Sequence, residues 1–149
     1  MAKISVAQAV RNCIEAERAS ARFYRLLEES TSDAEAKKLL GRMAQDETKH
    51  AEAIEKMASD LVEGELPLHA DDGARLIEVA EGWQEIDDID WASALEMAME
   101  GETNAAMVYD AMADFFGEEK VKRFFRDLSE TEEGHHAMLQ KIREGRKAT

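Results

Sequence analysis

The chain has 149 residues, 44% of them hydrophobic and 35% charged, with a formal net charge of −14. That length closes one hydrophobic core without staples, so a single domain over 1–149 is expected. The acidic balance argues against nucleic acid, whose phosphates need Lys and Arg, and no apolar run approaches a membrane span.

The start, Met1-Ala2-Lys3-Ile4-Ser5, has no apolar signal segment, and the single cysteine allows neither an internal disulfide nor a four-cysteine metal site. Both suit a reducing, cytoplasmic setting. An acidic surface serves solubility and can also attract cations. Eight glycines and one proline leave few breakers, so long helices are expected.

The first predicted helix runs from about Val6 to Glu29, with Ser5 and Gln8 as a capping box. Its buried stripe is Val6, Val10, Cys13, Glu17, Tyr24 and Leu27, with small Ser20 and Ala21 between. Ser32 and Glu35 form a second capping box that starts the next helix. The connection is therefore short and the two helices are antiparallel. The second seam is Leu40, Met43, Ile54, Met57 and Leu61, and the two positions missing from its rhythm of threes and fours are Glu47 and His50. Residues three apart on a helix are neighbours on one face. That face is the one that should be dry.

The pattern changes after Leu61 to Gly64. Residues 65–89 hold Pro67, Asp71-Asp72-Gly73 and most of the acidic run Glu85 to Asp90. A short amphipathic helix, about Ala74 to Glu81, is expected within this crossover, which is long enough to let the third helix run parallel to the second. The third helix should span Trp91 to about Phe116, with the stripe Trp91, Leu95, Ala98, Glu102, Ala105, Tyr109 and Met112, and Gly117 as its stop. The fourth runs from Glu118 to about Arg146 on the seam Val121, Phe125, Leu128, Leu139 and Ile142, with Glu132 and His135 in the gaps. Its basic end, Lys141, Arg143, Arg146 and Lys147, suits a helix C-terminus.

The same interval, 85 residues, separates Glu47 from Glu132, His50 from His135, Glu17 from Glu102 and Tyr24 from Tyr109. Aligning 5–61 on 90–146 gives ten identities, of which these residues make four. The chain reads as two copies of a helical hairpin joined by a long crossover: an all-α four-helix bundle.

Stacking four such seams brings Glu17, Glu47, His50, Glu102, Glu132 and His135 to one level. Four buried carboxylates left unpaired would cost several kcal/mol each. Two divalent cations cancel their charge, as do two ferric ions bridged by an oxide. Oxygen-rich ligation with one imidazole per metal suits iron or manganese, and lacks the thiolates of structural zinc. Glu133 with His136 is a competing register, which seam phase and the 85-residue interval both reject. Asp46 could orient a metal-bound His or simply face solvent. Tyr24 and Tyr109 could donate to ligand carboxylates or pass an electron, or be core aromatics whose hydroxyls need a partner. Cys13 reads as a small buried hydrophobe, and His69 and His136 as surface residues.

A Glu from each of two helices plus Glu-x-x-His from each of the other two resembles the ferritin-like di-iron carboxylate fold. Glu17 with Tyr24, the long crossover and the internal symmetry most resemble its rubrerythrin branch. The resemblance implies that Glu47 and Glu132 bridge two irons (Fe2+/Fe3+), that Glu17 and Glu102 are terminal ligands, and that each iron takes one His; manganese or zinc are substitutes. It implies reduction of hydrogen peroxide, or use of oxygen, and a homodimer. Full-length rubrerythrins carry a rubredoxin-like domain with four cysteines, which one cysteine cannot supply, so the donor would be an external rubredoxin-like or other redox protein. Rubrerythrins also place an additional Glu on the third helix, where this chain has Asn104 and Ala105. Ferrous oxidation for iron handling is the second expectation, and a metal-binding helical module without turnover the third.

Overall fold

Residues 6–62, 64–71 and 91–147 are described by the computed structural model. They form four α-helices: α1 (Val6–Ser30), α2 (Ala34–Leu61), α3 (Trp91–Phe115) and α4 (Glu119–Lys147). No strand occurs among the described residues, so the class is all-α as the periodicity predicts. The chain divides into two compact units, Met1–Trp83 and Gln84–Thr149, and each holds one helical hairpin. Adding 85 to the bounds of α1 gives those of α3, and adding it to the start of α2 gives the start of α4. Ser5, the short helix expected at Ala74 to Glu81, and the acidic run Glu85 to Asp90 lie outside the described residues.

The apolar seams are buried much as their spacing requires. Val10, Cys13, Leu40, Met43, Ile54, Phe125 and Leu139 are fully enclosed. The buried face of α1 is wider than one stripe and takes in Ile14, Ala16 and Phe23 as well, as expected of a core-facing globular helix rather than a coiled-coil seam. Val6, Met57, Trp91 and Met112, expected inside, are only partly covered.

Each hairpin turns in three residues. In the first, the N-cap of α2 is Asp33 and not Ser32: its carboxylate accepts from the Ala36 amide at 3.0 Å. Thr31 prepares this cap, its hydroxyl accepting from the Asp33 amide at 3.2 Å. A carboxylate there also meets the positive end of the helix dipole, an advantage that Ser32 lacks. At the second turn Gly117 does not act through a left-handed cap. Among the described residues only Gly64 has positive φ, at 88°, and α3 ends at Phe115, where the Phe116 amide donates to Met112 at 3.2 Å.

One device is shared by both turns. Neither α1 nor α3 has a basic residue in its last turn. Instead Lys37 of α2 donates from Nζ to the Glu28 carbonyl at 3.1 Å, and Lys122 of α4 does the same to the Ala113 carbonyl, also at 3.1 Å. These lysines are one of the ten identities of the internal alignment, and the contacts explain why. A cation at a helix C-terminus satisfies an orphan carbonyl and complements the dipole. At the far end of α4 the expected basic terminus is partly redirected, since Arg143 Nη1 reaches Glu96 Oε1 of α3 at 2.7 Å.

The first residues of the connection are tied to α1. Arg11 Nε donates to the Pro67 carbonyl at 2.6 Å and Gln8 Nε2 to the His69 carbonyl at 3.0 Å. Asn12 and Asp71 form a reciprocal pair, amide Nδ2 to carboxylate at 2.7 Å and Asp71 backbone N–H to Asn12 Oδ1 at 2.9 Å. Burial of Asn12 is tolerable because its donor and acceptor are both used.

The cap assignment is testable. Asp33→Ala should cost about 1 kcal/mol, lowering the melting temperature by roughly 2–4 °C for a chain of this size, whereas Ser32→Ala should stay within about 0.5 kcal/mol of the parent. Calorimetry reporting the opposite order would restore the Ser32 box.

Candidate metal centre

In the first hairpin α1 supplies Glu17, and α2 supplies Glu47 and His50 three residues apart. Both carboxylates have no solvent exposure. His50 is nearly covered, its side chain 12% exposed, and its Nδ1 lies 3.4 Å from Glu17 Oε2. Each of the three offers a ligand atom, and these atoms lie within 4.8 Å of one another.

The second hairpin repeats the arrangement. Glu102 on α3 and Glu132 with His135 on α4 are 1%, 0% and 1% exposed. His135 Nδ1 is 3.5 Å from Glu102 Oε1, and the three ligand atoms again fall within 4.8 Å. Each trio therefore offers two hard oxygen donors and one imidazole. Cys13 is buried one turn before Glu17 and contributes no ligand atom to the group, so the donor set has none of the thiolate character of a structural zinc site.

The neighbouring candidates are placed differently. Glu133 is exposed and His136 half-buried, and Glu100 is also exposed. Asp46 is half-buried beside Glu47, while the hydroxyl of its repeat counterpart Thr131 donates to the Asp127 carbonyl of its own helix at 3.0 Å. His69 is exposed. Tyr24 and Tyr109 are 2% and 0% exposed. Tyr109 stacks on Phe125 at 6.0 Å between ring centroids, and Phe125 stacks on Phe116 at 5.7 Å. This aromatic group fixes the α3–α4 spacing on the side of the trio nearer the turn. Ala105 is fully buried and Asn104 half-buried.

One supporting residue escapes a search for ligand spacings. Ser129, 2% exposed, donates from Oγ to the Ala106 carbonyl of α3 at 3.0 Å. It bolts α3 to α4 three residues before Glu132. Its sequence signal is faint: a small polar residue next to a buried Leu. Ser129→Ala should remove about 1 kcal/mol, measured as a lower midpoint in urea with an unchanged denaturant slope.

Comparison with known proteins places the chain in a fold class and then in a family. Over its whole length, the chain is similar to a Thermotoga maritima protein provisionally described as a ferritin-like diiron-carboxylate protein, with a TM-score of 0.79 at 22% identity over 100% of this chain and 99% of that one. It is likewise similar to a hypothetical protein of Pyrococcus furiosus, with a TM-score of 0.76 at 26% identity, covering 97% of this chain and 91% of that one. The fold is the ferritin-like four-helix bundle. A model of the rubrerythrin family matches residues 8–143, and the chain belongs to that family. No curated protein matches. None of the described helices is long and apolar enough to cross a membrane.

Proposed function

We propose that the two trios together form one non-haem di-iron centre, and that the protein reduces hydrogen peroxide to water with electrons from an external redox protein. In this reading Glu17, Glu47, His50, Glu102, Glu132 and His135 would hold the two metals, with Glu47 and Glu132 as the shared ligands that the family resemblance implies. The single observation that carries it is the buried Glu, Glu, His group, made once in each hairpin with ligand atoms within 4.8 Å. Membership of the rubrerythrin family supports it.

The donor set fits the metals. Four carboxylates bring four negative charges, which two divalent cations cancel, and without such compensation each would cost several kcal/mol to bury. Oxygen donors with one imidazole suit iron, with manganese or zinc as substitutes. Bound iron supplies Lewis acidity and two one-electron equivalents, the number that turns one peroxide and two protons into two waters.

The remaining work belongs to the chain. Rigid helices hold the donors in place, and near-complete burial of Glu17, Glu47, Glu102 and Glu132 keeps bulk water away from them. Tyr24 and Tyr109, each two turns beyond Glu17 or Glu102 on the same helix and buried, would in this reading donate to a ligand carboxylate or pass an electron. On the same reading the electrons come from an external rubredoxin-like or other redox protein, and the protein works as a homodimer in a reducing cytoplasm. Ferrous oxidation is the second reading. It is favoured by buried Ala105, at the place where rubrerythrins are expected to carry an additional Glu.

Metal analysis tests the ligand set. Glu47→Ala and Glu132→Ala should each lose stoichiometric iron, while Glu133→Ala and His136→Ala should retain it; full iron in the first pair would refute the assignment. Ligand linkage sets the thermal effect: metal at a thousandfold excess over its Kd adds about 4 kcal/mol, so loaded protein should melt roughly 10 °C higher. The same addition should do nothing for Glu47→Ala. Supplied with a reductant, loaded protein should consume peroxide over many turnovers. A single stoichiometric oxidation followed by mineral build-up would select ferrous oxidation instead.

A further inference from the structure

Buried Glu102 is reached by a cavity of about 220 Å3 within the α3–α4 hairpin. The same cavity is lined by Thr103, Met107, Asp110, Glu133 and His136. Its lining runs from Glu102, 1% exposed, to Met107, 66% exposed, so it is a recess of the surface whose inner wall includes the residue that carries a buried carboxylate. A recess of this size has room for a small ion with several of its waters.

The charge of the lining selects what enters. Asp110 and Glu133 add two carboxylates outside Glu102, and His136 adds an imidazole. Arg126 stands beside the mouth: its Nη2 binds Asp114 at 2.7 Å, and its Nη1 pairs with Asp110 at 3.8 Å, a long, half-exposed contact that holds Asp110 only weakly. The first hairpin is more basic at the same places, although its Arg18 is paired with Glu15 at 3.0 Å and Glu55 at 2.7 Å. An interval of 85 residues carries Thr103, Met107 and Asp110 back to Arg18, Arg22 and Arg25, and Glu133 and His136 back to Thr48 and Ala51. The α3–α4 hairpin thus carries Asp110 and Glu133 beside its recess, where the α1–α2 hairpin carries Arg25 and Thr48, with Arg22 one turn before Arg25. Clefts lined by one sign of charge concentrate ions of the other.

We propose that the α3–α4 cavity is the port through which a divalent metal ion reaches the buried centre, and that the equivalent arginine face of α1 is closed to cations. This rests on the reading of the trios as a metal centre. Asp110 and Glu133 capture the hydrated ion at the mouth, Met107 sets the width, and the Glu102 carboxylate receives the ion as it loses water.

Stopped-flow uptake of Co2+ by metal-free protein, followed by its visible absorbance, measures loading without turnover. Asp110→Asn combined with Glu133→Gln should slow loading about tenfold at low salt, flatten its dependence on ionic strength, and leave the final stoichiometry unchanged. Met107→Trp, at an exposed position, should slow loading without altering the salt dependence. Arg22→Gln combined with Arg25→Gln, on the other hairpin, should not slow loading. Normal loading rates in both cavity variants, or equal slowing by the arginine pair, would overturn the port while leaving the centre standing. Wild-type protein that binds no Co2+ would overturn the centre and the port with it.

Discussion

A carboxylate withdrawn from water forfeits hydration worth several kcal/mol, and the loss is recovered only through close opposite charge. Glu17, Glu47, Glu102 and Glu132 all stand at seam positions with essentially no solvent exposure, and the rest of each hairpin can be read as the means of holding them there. Helices of 25 to 29 residues place the donors in mid-span, well away from fraying ends. Short capped turns, the Ser129 bolt and the aromatic group around Phe125 fix helix spacing, which a ligand set tolerates only within about half an ångström.

The two hairpins show which features that constraint protects and which it leaves free. The His-to-Glu approach recurs at 3.4 and 3.5 Å, and the lysine that closes the preceding helix recurs at 3.1 Å. Outside these the copies diverge. Position 46 is Asp and its counterpart Thr; position 41 is Gly and its counterpart Arg126. Gly41 admits Glu28, whose Oε2 lies 2.8 Å from where a side-chain carbon would start. Arg126 instead reaches out to Asp110 and Asp114. Buried chemistry is held nearly constant while the surface charge around it is reassigned.

Much of this was legible in the amino-acid order because the seams are regular. A rhythm of threes and fours that continues through Glu47, His50, Glu132 and His135 leaves their faces little choice, and it separates Glu132 from exposed Glu133. The helix ends were less legible. Ser32 and Asp33 are adjacent and both competent to cap, and the carboxylate prevails on a helix dipole that no spacing rule weighs. The burial of Asn12 had no signal in the α1 stripe, since its partner Asp71 lies 59 residues away. The cavity beside Glu102 was equally invisible, being a property of how side chains on two helices fail to meet.

The lysines at the turns carry one more consequence. Because α1 and α3 borrow the positive charge for their carboxyl ends from the helix that follows, neither is electrically complete when taken singly. The smallest self-sufficient segment is the pair. A segment of that kind can be copied whole along a chain and still arrive with its ends satisfied, which is how doubling a hairpin can precede, rather than require, the invention of new caps.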